Sequence, residues 1–92
     1  MIPPILTILG REYTVDTQPM IDGLGACLND KQSIVIDSDS HPETQASVLL
    51  HEVLEAVNAS MGLQLEHRTI DALEAALYGV LTTNPVWWEE AK

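Results

Sequence analysis

The sequence predicts an α+β domain: a small antiparallel sheet of three or four strands followed by two packed α-helices. Three observations carry that expectation. The first 37 residues hold short β-branched or alternating segments. The remainder holds apolar residues at helical spacing. Glycine or proline stands at most of the junctions between these segments. With 92 residues the chain has room for one core, so a single domain over 1–92 is expected.

The elements follow in order. Residues 5–9 are apolar and β-branched, and Pro3 and Pro4 place the strand start after them, because proline donates no ladder hydrogen bond. Glu12-Tyr13-Thr14-Val15-Asp16 alternates with period two. Gly10-Arg11 reads as a two-residue hairpin turn, with glycine taking the positive φ. Residues 18–25 hold proline and two glycines and read as a loop. Residues 26–28 and 33–37 are short strands, turned by Asn29-Asp30-Lys31-Gln32. The strands thus lie within about 5–37.

A first helix is expected over about 41–61. Ser40 is its expected cap, Pro42 lies in its first turn, and Glu43 completes a capping box. Ala46, Leu49, Leu50, Val53, Leu54, Val57 and Met61 form its apolar stripe, and Gly62 stops it. A second helix is expected over about 67–84, with Ile70, Leu73, Leu77, Val80 and Leu81 on its stripe and Pro85 ending it.

Composition narrows the function. Four Lys+Arg face fourteen Asp+Glu, giving a formal net charge of -10. No basic patch exists to neutralise phosphates, so neither direct nucleic-acid binding nor docking on anionic lipid is expected. No apolar run is long enough to span a bilayer. The start Met1-Ile2-Pro3-Pro4 lacks the pattern of a secretion signal, and the lone Cys27 forms no internal disulfide. These features predict a cytoplasmic protein.

The segment that carries chemistry is His51-Glu52-Val53-Leu54-Glu55, in the middle of the first helix. Residues four apart share a helix face, so His51 and Glu55 can reach one point. Imidazole nitrogen and carboxylate oxygen both suit zinc. Glu52 lies about 100° further round the axis. In the H-E-x-x-H arrangement of zinc peptidases the glutamate at that position activates water, and here Glu55 stands in place of the second histidine. A catalytic zinc site needs a third protein ligand. His67, at the start of the second helix, and Glu74, opposite Glu55 across a tight hairpin, are both candidates. Spacing does not choose between them. Tyr78, on the same face as His67, Asp71 and Glu74, is a candidate oxyanion donor.

Ser47-Val48-Leu49-Leu50-His51-Glu52-Val53-Leu54-Glu55-Ala56-Val57-Asn58, with Leu65-Glu66-His67-Arg68-Thr69-Ile70, Leu77-Tyr78-Gly79-Val80-Leu81 and Asn84-Pro85, resembles a family of very small zincin-like proteins. That family is encoded by phages and prophages and is similar to stripped-down ImmA/IrrE-type metallopeptidases. The resemblance extends to residues 25–37 and covers roughly two-thirds of the chain. It implies a small sheet, a helix bearing H-E-x-x-H or H-E-x-x-E, and a ligand at the start of a second helix. On this chain that pattern falls on His51, Glu55 and His67 as zinc ligands and on Glu52 as general base. It favours His67 over Glu74.

The expected function is therefore that of a minimal zinc-binding protein, in its active form a metallopeptidase (a hydrolase), with a peptide or protein as substrate. The alternative is an inactive zincin fold that binds a host or phage regulatory protein. A third reading, an acidic decoy for a nucleic-acid-binding protein, ranks last because the acidic residues are not massed on one face. More ordinary roles are expected elsewhere: a surface position for His41, a helix-dipole partner in Asp71, a small core residue in Cys27. Trp87 and Trp88 are expected to cover the open end of the core.

Overall fold

A computed structural model of the chain describes residues 2–84; Trp87 and Trp88 lie outside the described residues. The described residues form strands β1 (Ile5–Ile8), β2 (Arg11–Gln18), β3 (Gly25–Leu28) and β4 (Ser33–Asp37), then helices α1 (Pro42–Met61) and α2 (His67–Thr83). A single 3₁₀ turn, Asn29–Lys31, joins β3 to β4. The α+β class and the order of strands before helices are as the sequence predicts.

The sheet is mixed rather than antiparallel throughout. Its order is β1-β2-β4-β3. β1 pairs antiparallel with β2, and β3 antiparallel with β4, but β2 and β4 run parallel with Val15 opposite Ile34. Residues 19–24 carry the chain past the β4 position to the edge, where β3 forms. The hairpin then returns β4 into the gap beside β2. Alternation reports which face a strand buries, not the direction of its neighbour, so the parallel pair was not legible.

Local chemistry explains the elements. β2 alternates as expected, with Tyr13 and Val15 buried and Glu12, Thr14 and Asp16 exposed. The first hairpin turn is Leu9-Gly10 rather than Gly10-Arg11, since Ile8 pairs with Arg11. Both turn residues have positive φ, 51° and 78°, the type I′ geometry that matches strand twist. Leu9 therefore occupies a position that favours Gly or Asn. The cap of α1 is His41, not Ser40: the Glu43 backbone N–H donates to His41 Nδ1 at 3.1 Å, and Pro42 opens the helix. Ser40 instead donates to the Asp37 carbonyl. Gly62 ends α1 in the left-handed conformation, and the Leu63 N–H reaches the Asn58 carbonyl at 3.1 Å, closing a Schellman turn.

The core lies between the sheet and α1. Tyr13, Ile34, Ile36 and Ala56 are fully buried there, with Val48, Leu49, Val53 and Val57 packed against them. Each fully buried isoleucine contributes on the order of 1.5–3 kcal/mol relative to exposure. The buried line of α1 differs from the expected stripe. Ala46 and Met61 are exposed, and the buried residues are Glu52 and Ala56. α2 packs chiefly on α1, anchored by Ile70. Because α1 covers only one line of α2, Leu73, Leu77 and Val80 stay substantially exposed instead of joining the core. No described helix is long and apolar enough to cross a membrane.

Candidate metal centre

The motif sits where α1 meets both β3 and α2. Gly25 makes that approach possible. A Cβ at residue 25 would lie 2.5 Å from Val48 Cγ1 and 3.2 Å from Glu52 Oε2. Only glycine lets β3 and α1 come this close without displacement. Beside this contact lies an open cleft of about 430 Å³, lined by residues 23–25 and by Val48, His51, Glu52, His67 and Glu74.

His51, Glu55 and His67 are brought together. One ligand atom from each lies within 4.8 Å of the others. His51 and Glu55 are one turn apart on α1, with Nε2 and Oε2 separated by 3.9 Å. His67 is the first residue of α2, delivered by the Gly62 turn, and its ring stands edge-on to that of His51 at 5.3 Å between centroids. Two imidazoles and one carboxylate are a donor set that suits zinc. The residues present therefore fit the ion that the motif implies.

Glu74 belongs to a second group, with His51 and Asp71, again within 4.8 Å. Its Oε1 lies 2.8 Å from His51 Nδ1, and its Oε2 accepts from Ser47 Oγ at 2.5 Å. Asp71 stands 3.4 Å from His51 Nδ1 and 3.4 Å from His67 Nε2. The helix-dipole role expected of Asp71 thus gives way to contacts with both histidines. Ser47 carried no expectation, although it lies four residues before His51 on the same helix, and that spacing was the available signal.

Glu52 is buried at the floor of the cleft, 7% exposed. Burial pushes its carboxyl above the usual range, and Glu55 and Glu74 add repulsion, while His51 and His67 pull the other way. A carboxyl whose affinity for protons is raised in this way is a better base than an exposed glutamate. Cys27, on β3, is half-buried, and its thiol is pushed up to about 11 by burial and by the charges of Glu52 and Glu55. It is not among the grouped ligand atoms. Tyr78 does not take the expected oxyanion position. Its hydroxyl donates to the Glu43 carbonyl at 3.4 Å, outside the residues that line the cleft. One further helical turn carries it past the site. His41 is exposed, as expected, and serves as the cap described above.

Comparison with family models, curated proteins and solved structures gave no match.

Proposed function

We propose that the protein is a minimal zincin-like metal-binding protein that acts as a zinc-dependent peptidase. The observation that carries this reading is the convergence of ligand atoms from His51, Glu55 and His67, with His51 and His67 lining the same cleft as the buried Glu52. His51, Glu55 and His67 would hold the ion, and bound zinc would supply a Lewis acid that polarises a carbonyl and acidifies water. Glu52 is the general base. Its buried carboxylate takes a proton from water and later hands it to the leaving amine. The raised proton affinity of Glu52 serves both halves of that cycle. Val48 and the 23–25 segment form the apolar and backbone walls against which a peptide would lie. The site is strongly acidic, which suits a divalent cation in a chain of net charge -10.

The test begins with elemental analysis of protein purified without a His tag, wild type beside His51→Ala. About one zinc per chain, lost in the variant, supports the site. A wild type that takes up no zinc, even when supplied with it, overturns the reading. Glu52→Gln then separates peptidase from binding module. A peptidase keeps its metal and loses cleavage of a peptide library, whereas equal behaviour of the two proteins leaves the zincin fold as a binding module for a regulatory protein.

A further inference from the structure

The surroundings of His51 carry more than a ligand set. Its two ring nitrogens face different partners. Nε2 faces Glu55 at 3.9 Å, and Nδ1 faces Glu74 at 2.8 Å. A neutral imidazole has one N–H donor and one lone pair, so the partner of one nitrogen fixes the other. An ionised carboxylate only accepts. Glu74 therefore requires the proton on Nδ1, which leaves the lone pair on Nε2.

We propose that Glu74 is the positioning residue of this centre, holding His51 in the Nδ1–H tautomer so that its Nε2 lone pair is presented on the Glu55 side. The inference rests on the metal reading above and decides how Glu74 takes part in it. Glu74 itself is fixed at both oxygens, by His51 at Oε1 and by Ser47 Oγ at Oε2. Both of its oxygens are thus already engaged, so ligation through either would compete with one of these bonds. Asp71 is a poorer holder of the same nitrogen. It is 3.4 Å away, its side chain is 54% exposed against 21% for Glu74, and it is shared with His67. Carboxylates placed behind ligating histidines orient the ring and raise its basicity, and their loss costs about 10–100-fold in metal affinity.

The experiment reads the tautomer directly. Long-range proton–nitrogen correlation on ¹⁵N-labelled, metal-free protein, recorded at alkaline pH where imidazoles are neutral, distinguishes Nδ1–H from Nε2–H. Wild type is expected in the Nδ1–H form. Glu74→Ala is expected to lose that preference and to bind zinc about 10–100-fold more weakly in a competition assay with a chelating dye. Asp71→Asn is expected to keep the tautomer, and Ser47→Ala to weaken the preference partially. The amide spectrum of each variant reports that it is folded. An Nε2–H wild type overturns the inference, as does a folded Glu74→Ala with unchanged tautomer and zinc affinity. A wild type that binds no zinc defeats the metal reading itself. The tautomer is still read in that case, so the two failures are distinguishable.

Discussion

Gly25 is the position where one added carbon should report most about this site. In Gly25→Ala the new Cβ meets Val48 Cγ1 at 2.5 Å, with Val35 O and Glu52 Oε2 each at 3.2 Å. Carbon atoms rest at about 3.5–4.0 Å, so Val48 must give by roughly 1 Å or more. It has little freedom to do so. Val48 is β-branched and sits in a helix, where one χ1 rotamer dominates. Val35 O is backbone of the neighbouring strand and cannot rotate away. The remaining relief is for α1 to lift from β3, carrying His51, Glu52 and Glu55 with it. Overpacking of this kind costs typically about 1–3 kcal/mol. For a domain of this size each kcal/mol lowers Tm by about 4–8 °C.

Thermal or urea unfolding of Gly25→Ala, Val48→Ala and the double variant measures the contact. Gly25→Ala and Val48→Ala should each destabilise, the first by overpacking and the second by leaving a cavity. Together they should destabilise less than their sum, with a coupling on the order of 1 kcal/mol in the rescuing direction. The same lift predicts weaker zinc binding in Gly25→Ala and recovery in the double variant. A Gly25→Ala protein within about 0.5 kcal/mol of wild type, the range of an innocuous surface change, would refute the argument. So would strictly additive energies.

Three further outcomes are expected. Glu52→Gln should be more stable than wild type near neutral pH, by about 0.5–2 kcal/mol. The folded pKa of Glu52 lies above its ordinary 4.5, so burial is tolerated below that value and becomes unfavourable as pH rises through the folded pKa. Urea titrations at several pH values should show the gain shrinking toward acid, and a gain that grows toward acid would contradict the burial argument. Ile70→Ala should cost about 2–5 kcal/mol, because this 1%-exposed side chain anchors α2; chemical denaturation measures it, and zinc affinity should fall with it as His67 and Glu74 lose their placement. Cys27, with a thiol pushed up to about 11, should react with a thiol reagent near pH 8 far more slowly in the native protein than in urea. Equal rates would place the thiol in an ordinary environment.

Much of the fold was legible because it depends on local chemistry. The Tyr13–Val15 alternation, the Pro42 start, the Gly62 stop and the His51/Glu55 spacing all act over one or two turns of chain. What was not legible depends on partners distant in sequence. The parallel pairing of β2 with β4 is set by where the 19–24 loop lands. The contact of Gly25 with Val48 joins an edge strand to a helix 23 residues later. Spacing placed Glu74 near Glu55, yet it could not show which nitrogen of His51 it meets. The helical stripe was misassigned for a related reason. Counting only apolar residues predicted Ala46 and Met61 as core and passed over Glu52, which in fact shares the buried line with Ala56.

That misassignment is itself informative about function. Two acidic residues are buried among the described residues, Asp37 and Glu52. Asp37 has an evident structural use: its Oδ1 accepts from the Met20 and Asp39 backbone N–H groups and so ties down the loop ends beside β4. Two backbone donors offset the cost of burying it. Glu52 is different. Burial raises its carboxyl, two neighbouring glutamates raise it further, and only His51 and His67 oppose them. An apolar residue at this position would suit the line of Val48 and Ala56 better. A carboxylate held there against the local energetics, lining a cleft and beside two imidazoles, is not explained by packing, and it is the group to which the proposed function gives the role of base. Whether that carboxylate serves a peptidase or remains in a binding module is what the Glu52→Gln comparison decides.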